Sequence, residues 1–245
     1  MALLEIEQLK KYFYDIHAVD GIDLQVEAGE LLGVIGPNGS GKTTLFDCIT
    51  GVQRPTAGRL VFKGRSLVGL TADQIARRGI SRTFQVIQLF PEMSVMESML
   101  LAAQEFHGSL WTRLWQRGEA DAVAHARQLL EMLGLWRLRQ EAAGNLSYGQ
   151  QKLLDFGMAL MAEPDVVLLD EPASGVNPTI IKQMGQYIRD LNARGLTFVM
   201  IEHNMDFLMH LCRRIVVLNH GEQIASGTPA DIRSNPAVLR AYFGG

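Results

Sequence analysis

The segment that most constrains the fold of this chain is a run of eight residues in its first fifth. In order, they are Gly36, Pro37, Asn38, Gly39, Ser40, Gly41, Lys42 and Thr43. They follow the apolar run Leu31 to Ile35, which is typical of a strand buried on both faces, and precede the helix-compatible run Thr44 to Thr50. The sequence therefore predicts a strand, a glycine-rich loop and a helix in succession, as in α/β proteins.

This loop matches the P-loop pattern of nucleotide-binding proteins. Its glycines let successive backbone N–H groups face phosphate oxygens, and the following helix presents its positive N-terminal end to the same charge. We expect the Lys42 ammonium to reach the terminal phosphates, and the Thr43 hydroxyl to bind Mg²⁺, which prefers hard oxygen ligands. Thr44 is a weaker candidate for the metal, and we include it among the nucleotide-binding residues.

A second buried strand ends in two acidic residues. Val166 to Leu169 is apolar, and Asp170 and Glu171 follow it directly. One carboxylate at such a strand end serves the Mg²⁺ shell of P-loop enzymes, and we assign that role to Asp170. From its position alone, Glu171 is equally well explained as a solvated acid at a strand end or as a base.

The composition argues against several classes of protein. The chain has 245 residues and a formal net charge of −3, so it lacks the general basic field of a nucleic-acid-binding protein, and we expect no nucleic-acid partner. Its two cysteines lack metal-type spacing, which fits a reducing compartment. Its apolar runs are far shorter than the roughly 18 residues of a membrane-spanning helix, and no signal peptide is apparent. We therefore expect a cytoplasmic chain that reaches a membrane only through a partner.

Strand patterns dominate the first third of the chain. They cover four segments, Leu3 to Leu9, Ile22 to Val26, Leu31 to Ile35 and Leu60 to Phe62. We place glycine-rich turns between them at Gly21, Gly29 and Gly58.

A helical pattern follows, from about Val95 to Leu138, and indicates a helical insertion. Two apolar strands, Val166 to Asp170 and Leu196 to Ile201, then flank a helical stretch from about Thr179 to Asn192, which indicates a βαβ unit of a parallel sheet. A turn at Gly227 to Pro229 precedes a final helix. We predict one domain, 1–245, in two parts: a core of 1–86 and 163–245, and a helical subdomain of 87–162.

A third segment, Leu146 to Gln150, carries a resemblance to a known family. It reads Leu-Ser-Tyr-Gly-Gln, begins a helical run, and places Ser147 23 positions before Asp170. It resembles the signature sequence of ABC ATPases, in which this segment of one subunit clamps the γ-phosphate bound to the other. The resemblance assigns Ser147, Gly149 and Gln150 to the nucleotide site. Ser147 is also a favourable helix N-cap, because capping and phosphate binding use the same geometry.

The resemblance extends over nearly the whole chain and implies further roles. Gln85, in Thr83-Phe84-Gln85, resembles the Q-loop glutamine, which links the metal site to the helical subdomain, so it counts as a catalytic and a metal-site residue. Ala173 to Pro178 resembles the D-loop, and His203 resembles the switch histidine that contacts the γ-phosphate. In this family Glu171 polarises the attacking water, which favours its interpretation as a base.

An aromatic side chain near the N-terminus stacks on adenine in this family. Three consecutive candidates, Tyr12, Phe13 and Tyr14, follow Lys11. The resemblance favours Phe13, whose spacing from Lys11 and from Ala18-Val19 matches the pattern of the family, and Tyr12 and Tyr14 are the alternatives.

Two residues depart from the commonest family pattern. Tyr148 replaces a glycine of the signature, and Asn177 stands where the D-loop usually has aspartate. Because an amide cannot repeat the charge-assisted hydrogen bonds of a carboxylate, we expect looser coupling between the two nucleotide sites of a dimer.

These departures, the helical insertion Gln104 to Leu135 and the C-terminal segment Asn235 to Gly244 resemble the branched-chain amino-acid transporter ATPases. The resemblance implies a P-loop NTPase core with a mainly parallel sheet, an N-terminal antiparallel β subdomain and an inserted helical subdomain. It also implies ATP and Mg²⁺ as cofactors, and a location on the inner face of the cell membrane. The implied partners are polytopic permease subunits, a second ATPase subunit of the same or a paralogous chain and, indirectly, a solute-binding protein.

Other functions compete with transport of branched-chain amino acids. The sequence does not choose between branched-chain amino acids and the urea, amides or other small solutes of related importers. A transport motor is the leading hypothesis, and a soluble ABC ATPase in iron–sulfur assembly is the alternative from a different class. A regulatory module without turnover is disfavoured by the presence of Glu171 and His203. A stripe that contains Trp111 and Trp115 has two interpretations, internal packing of the helical subdomain or contact with a membrane or permease, and such stripes usually belong to cores.

Overall fold

A computed structural model describes residues 2–103 and 119–243 of the chain. In these ranges the strands are β1 (Ala2–Phe13), β2 (Ile16–Glu27), β3 (Leu31–Ile35), β4 (Ala57–Phe62), β5 (Arg65–Ser66), β6 (Ile80–Arg82), β7 (Val166–Asp170), β8 (Thr197–Ile201), β9 (Arg214–Asn219) and β10 (Glu222–Gly227). The α-helices are α1 (Lys42–Ile49), α2 (Ala72–Ala76), α3 (Val95–Ala102), α4 (Glu119–Met132), α5 (Tyr148–Leu160), α6 (Pro178–Ala193), α7 (Met205–Leu211), α8 (Pro229–Ser234) and α9 (Pro236–Phe243). Two 3₁₀ turns, Trp136–Leu138 and Ala143–Asn145, precede α5.

The strands form two sheets. An antiparallel sheet has the order β2, β1, β4, β5. The larger sheet has the order β10, β9, β3, β8, β7, β6, and its neighbours are parallel except for the antiparallel pair β9 and β10. The expected fold class, a mainly parallel core with an N-terminal antiparallel sheet and helical segments, is confirmed.

The parallel sheet is buried on both faces, and its side chains alternate between two apolar clusters. In β3, Leu31 and Ile35 belong to the cluster that includes residues of α5, α6 and α7. Leu32 and Val34 belong to the cluster that includes residues of α1 and of the antiparallel sheet. Because successive side chains of a strand point to opposite faces, one continuous apolar strand contributes to both layers.

Several predicted elements have the observed bounds or nearly so. Strands β3 and β7 begin and end as predicted, and α6 is one residue longer at each end than predicted. Strands β1, β2 and β4 are longer than predicted, because polar residues on their exposed sides interrupt the apolar pattern without ending the strand.

The turns predicted at Gly21 and Gly58 are wrong, because both glycines lie inside strands. Gly21 has a φ of 75° within β2, and Gly58 has a φ of 97° within β4. A Cβ on Gly58 would lie 2.4 Å from the carbonyl oxygen of Gln8, where the register of β1 shifts. Glycine therefore permits close backbone approach at an irregular point of the sheet. Gly29 lies in the predicted turn between β2 and β3.

The middle and the end of the chain contain more elements than the patterns predict. The region predicted as one helical pattern contains α3, α4 and a 3₁₀ turn, while residues 104–118, with Trp111 and Trp115, lie outside the described residues. Strands β9 and β10 were not predicted. The predicted final helix is divided into α8 and α9 at Pro236, which cannot continue the hydrogen bonding of α8. Within the two described ranges, no helix is both long and apolar enough to cross a membrane.

Candidate active site

Four neighbouring parallel strands end at one edge of the sheet, and each leads into a predicted site segment. β3 leads into the P-loop, and β7 ends with Asp170, next to Glu171. β8 leads into His203, and β6 leads towards Gln85. Because the carboxyl ends of parallel strands form the ligand-binding edge of such sheets, the fold gathers these segments in one place.

Two glycines give the P-loop its shape. Gly39 and Gly41 have φ angles of 76° and 100°, in the left-handed region that favours glycine. A Cβ on Gly41 would lie 2.2 Å from the carbonyl oxygen of Ala18, so a larger residue would displace β2. The loop turns directly into α1, which begins at Lys42. A tight loop that ends in a helix N-terminus fits the phosphate groups of a nucleotide.

The Lys42 side chain folds back over its own loop. Its Nζ donates to the carbonyl oxygens of Gly36 at 2.8 Å and Pro37 at 2.9 Å. Burial lowers the pKa of Lys42, and the nearby carboxylates of Glu171 and Asp170 act in the opposite direction. The ammonium group is therefore held by loop carbonyl groups at the position from which it can move to a phosphate.

The other P-loop side chains differ in exposure. Ser40 is buried, with its Oγ 3.4 Å from Lys42 Nζ, whereas Asn38 and Thr43 are exposed and Thr44 is half-buried. An exposed hydroxyl in the first turn of α1 is compatible with the metal role predicted for Thr43.

The side chains of Glu171, Gln85 and His203 meet at the sheet edge. Nε2 of Gln85 donates to Oε2 of Glu171 over 2.9 Å, and Nε2 of His203 lies 2.9 Å from Oε1 of Glu171. Glu171 has a φ of 50°, which is uncommon for a residue other than glycine, and its backbone N–H donates to Ile201. Strand β8 thus holds an unfavourable backbone conformation that directs the carboxylate between its two partners.

A buried acid next to His203 organises the surrounding loops. The Glu202 carboxylate accepts backbone N–H groups of Ala173 at 2.7 Å, His203 at 2.9 Å and Asn204 at 3.0 Å. Burial raises the pKa of Glu202, and these three donors act to lower it. Glu202 therefore joins the start of the D-loop to the segment that carries the switch histidine.

Arg82 connects the helix after the P-loop to the strand that ends in Asp170. Its Nη1 lies 2.6 Å from Asp47 Oδ1 on α1, and its Nη2 lies 3.0 Å from Asp170 Oδ2. The guanidinium group also lies over the rings of Phe46 and Phe84, at 5.6 and 5.0 Å from their centroids. Burial raises the pKa of Asp170, and Arg82 opposes that effect. Arg82 thus helps to keep a buried carboxylate charged.

The residues predicted to hold Mg²⁺ supply oxygen donors, the ligand chemistry that this ion prefers. They are the Thr43 hydroxyl, the Asp170 carboxylate and the side-chain oxygen of Gln85. Arg82 donates to Oδ2 of Asp170, and Gln85 donates to Glu171 through Nε2, so Oδ1 of Asp170 and Oε1 of Gln85 are the oxygens available to a cation. The donor set therefore fits the ion.

The signature segment lies against α6 and the D-loop. Ser147 caps α5 by accepting the Gln150 N–H, and the Gln150 side chain accepts the Ser147 N–H at 2.9 Å. The Tyr148 ring covers Gly175, where a Cβ would lie 2.9 Å from Tyr148 Cε1 and where φ is 73°. Tyr148 and Gly175 therefore fit each other, and the departure from glycine at position 148 creates a contact between signature and D-loop.

The signature segment also packs against the first turn of α6, the helix that follows the D-loop. Asn177 caps α6 by accepting the Ile180 N–H at 3.0 Å, and a Cβ on Gly149 would lie 2.9 Å from Cγ1 of Ile180. The amide of Asn177 thus performs the capping that an aspartate would also perform.

The three aromatic candidates for adenine stacking have different surroundings. Tyr12 stacks on His17, with 3.9 Å between ring centroids, and donates its hydroxyl to Asp20 at 2.6 Å. Tyr14 is fully exposed at the β1–β2 turn, whereas Phe13 is 36% exposed and lies under the Lys11 ammonium at 4.6 Å. Tyr12 is thus engaged elsewhere, and Phe13 keeps a ring face near the solvent.

The sequence patterns did not predict three residues of the site, Arg82, Lys152 and Glu202. A signal existed for two of them, because Arg82 directly precedes Thr83-Phe84-Gln85 and Glu202 directly precedes His203. Lys152 has no local signal, since it contacts the Q-loop only through the packing of α5.

Comparisons with known proteins show the family to which the chain is similar. A family model for ABC transporters matches residues 19–174, and one for branched-chain amino acid ATP-binding cassette transporters matches residues 222–245. The chain is 40% identical over 249 residues to the high-affinity branched-chain amino acid transport ATP-binding protein LivG of Escherichia coli (strain K12), covering 99% of this chain and 98% of that protein. It is also 40% identical over 250 residues to BraF of Pseudomonas aeruginosa, a protein of the same description, with the same coverage.

Solved structures share the fold over the full length. The structure of a nucleotide-free ATP-binding cassette from an ABC transporter matches with a TM-score of 0.89 and 34% identity, and each chain is covered completely. The ADP conformation of MJ1267, an ATP-binding cassette of an ABC transporter, gives the same values.

The P-loop, the acidic strand end and the signature segment on this fold define an ATP-binding cassette, an ATPase that couples ATP hydrolysis to transport. The chain belongs to the ABC transporter family and, within it, to the LivG and BraF subfamily of branched-chain amino acid transport ATP-binding proteins.

Proposed function

We propose that this chain hydrolyses MgATP with Glu171 as the general base and thereby drives the uptake of branched-chain amino acids. The observation that carries the catalytic part is the Glu171 carboxylate held between Gln85 and His203 at the sheet edge. The substrate part is supported by the named transport of the LivG and BraF relatives and by the subfamily match at residues 222–245.

In this proposal the side chains of the site divide the tasks of hydrolysis among them. Glu171 accepts a proton from the attacking water at its carboxylate, and Gln85 and His203 fix the direction of that carboxylate. Lys42 and the backbone N–H groups of the P-loop stabilise the negative charge of the phosphates. Thr43, Asp170 and Gln85 would hold Mg²⁺, which when bound neutralises phosphate charge.

A second ATPase subunit, of the same or a paralogous chain, completes the site in this proposal. Gly149 packs against Ile180 of α6 in its own chain, and Ser147 and Gln150 hydrogen-bond to each other. No hydrogen bond in the described ranges joins these three residues to the P-loop. Their free phosphate-binding capacity is best explained by the nucleotide of another subunit. Phe13 would stack on the adenine, because its ring face is accessible and Tyr12 is engaged.

We propose that permease subunits dock on the segment that follows Gln85. In this proposal the segment joins a core of 1–86 and 163–245 to a helical subdomain of 87–162. Two of its apolar side chains, Val86 and Phe90, are 74% and 60% exposed. Apolar side chains exposed this close to a catalytic glutamine can transmit closure of the site to a bound helix. Such docking would hold the chain at the inner face of the membrane, with a solute-binding protein reached only through the permease.

The test uses variants of this surface in vesicles that contain the candidate permease. Val86→Ser and Phe90→Ser should reduce leucine uptake at least about fivefold, because they weaken an apolar contact, while ATP hydrolysis by the isolated chain changes less than about twofold. Val52→Ser, at another exposed apolar position, is the matched control and should preserve uptake. Normal uptake in both docking variants would reject this surface as the permease contact.

The substrate is tested separately by deletion of the gene. Loss of leucine, isoleucine and valine uptake is the expected result. Retention of all three, with loss of urea or amide uptake instead, would reject the substrate and leave the ATPase assignment intact.

A further inference from the structure

A lysine side chain is buried behind the catalytic edge. Lys152 lies on α5, five positions after Ser147, and is 4% exposed. Its Nζ donates to the main-chain carbonyl oxygen of Gln85 over 3.0 Å. This hydrogen bond joins the helix that begins at the signature segment to the main chain of the Q-loop.

The charges around Lys152 explain how an ammonium group is tolerated there. Burial lowers the pKa of Lys152, and four carboxylates oppose that effect: in order of strength, Asp155, Asp170, Glu171 and Glu202. A buried ammonium is costly unless it is paired and hydrogen-bonded, and lysine usually keeps its head group in water. The negative charges of these carboxylates therefore stabilise the Lys152 ammonium group.

The packing around Lys152 leaves its head group little freedom. A cavity of about 10 Å³ adjoins it, lined also by Thr83, Asp155 and four apolar side chains. This volume is at the lower limit for a single water molecule. The head group therefore has room beside it for at most one water molecule.

Gln85 is consequently held at both of its polar ends. Its carbonyl accepts from Lys152, and its side-chain amide donates to Glu171 at 2.9 Å. The first bond fixes the main chain from which the second bond reaches. A displacement of α5 along its axis would therefore displace the amide that orients the catalytic carboxylate.

We propose that Lys152 is a positioning residue that makes α5 and the Q-loop of one subunit move as a unit. Engagement of Ser147 by a phosphate then changes the position of Gln85, and through it the direction of the Glu171 carboxylate. This inference rests on the proposed function, because it assumes that Glu171 acts in hydrolysis.

The competing role for Lys152 is structural: an ion pair with Asp155 that stabilises α5 alone. The two roles differ in what fails when the ammonium is removed. A structural role predicts lower stability with a normal turnover number. A positioning role predicts a lower turnover number, a mobile Q-loop and recovery by another cation.

The experiment combines hydrogen–deuterium exchange with steady-state kinetics on Lys152→Met, Lys152→Arg and the control Lys182→Met, which removes an exposed lysine from α6. In nucleotide-free Lys152→Met, exchange in peptides of residues 83–90 should accelerate at least about fivefold. Its kcat should fall about tenfold with KM for ATP within about twofold, because no P-loop group is altered. Lys152→Arg should recover most of both properties, and Lys182→Met should match the wild type.

Two results would overturn the proposal. Faster exchange with normal kcat means that the bond is only structural, and lower kcat with unchanged exchange means that Lys152 does not hold the Q-loop. If Lys152→Met does not fold, Lys152→Gln, which is too short to reach the carbonyl, is judged by the same criteria. If the wild type itself shows no ATP hydrolysis, the proposed function fails, while the exchange data still decide whether Lys152 holds the Q-loop.

Discussion

The edge of the parallel sheet that carries the P-loop, here the P-loop edge, and the signature segment both carry groups suited to phosphate. The two regions differ in the partners that these groups have within the chain. At the P-loop edge, the Glu171 carboxylate, Gln85 and His203 contact one another, and Arg82 pairs with Asp170. In the signature segment, Ser147 contacts only the turn that it caps among the described residues. The first region is preorganised by its own chain, whereas the second presents a helix N-terminus with capacity for an external anion.

The two regions should therefore contribute differently to nucleotide binding. A preorganised edge can bind nucleotide in a single subunit, since its donors are already oriented. Under the proposed function, the signature segment adds to nucleotide binding only when a second subunit presents a phosphate to it. Substitutions in the two regions should therefore separate nucleotide binding from turnover.

The largest effect is expected for Glu171→Gln. The amide keeps the shape of the side chain but cannot accept the proton, so kcat should fall about a thousandfold while ATP binding persists. Size-exclusion chromatography with ATP should show a dimer that retains two nucleotides. An unchanged turnover number would show that Glu171 is not the base, and that its contacts with Gln85 and His203 do not prepare the site for hydrolysis.

One variant in each region should separate nucleotide binding from turnover. Lys42→Ala removes the P-loop ammonium and should weaken ATP binding about a hundredfold, since the phosphates lose charge-assisted hydrogen bonds. Ser147→Ala should leave the Kd of the isolated subunit within about twofold but lower kcat about tenfold. Nucleotide titration and turnover measurements distinguish these effects.

The control for Ser147→Ala is Ser94→Ala, because Ser94 caps α3 with the same capping box as Ser147 in α5. Each alanine variant should lose about 1 kcal/mol of stability. Only Ser147→Ala should lose turnover. Equal losses of kcat in both variants would show that Ser147 acts as a helix cap alone.

A smaller effect is expected at Asp155, which lies between the two regions. Burial raises the pKa of Asp155 from 3.8 to about 6, and Lys152 acts to lower it. The folded state therefore binds this proton more tightly than the unfolded state, so the stabilisation is present at low pH and is lost as pH rises through about 6. When the pH rises from about 4 to 7.5, the free energy of unfolding should fall by on the order of 2 kcal/mol less in Asp155→Asn than in the wild type.

Urea unfolding at several pH values measures this difference. Asp190→Asn, which alters an exposed carboxylate on α6, should follow the wild-type dependence. Parallel pH curves for the wild type and Asp155→Asn would contradict the assigned burial effect.

The sequence predicted those parts of the fold and site that depend on local patterns. A buried strand before the P-loop and another before Asp170 are continuous apolar runs, and β3 and β7 have the predicted bounds. The hairpin of β9 and β10 was missed although His220 and Gly221 form its turn, with φ angles of 48° and 82°. The outer strand of that hairpin is half exposed, so it lacks the apolar run that identified the inner strands.

Interactions between distant segments could not be predicted from local patterns. Lys152 and Gln85 are 67 positions apart, and Arg82 and Asp170 are 88 apart. Their contacts exist only because α5 packs against β6 and β6 pairs with β7. The contact between Tyr148 and Gly175 has the same origin, since it requires the D-loop to return to the start of α5. What seemed a departure from the family pattern in the sequence is a matched pair in the structure.

The folded-back Lys42 side chain has a consequence for the release of product. Its two hydrogen bonds to Gly36 and Pro37 supply the ammonium with acceptors that belong to the protein. When ADP and phosphate depart, the charge can return to these carbonyl oxygens and is not left exposed in an empty loop. Under the proposed function, nucleotide exchange would then be a substitution between two sets of acceptors for this ammonium group.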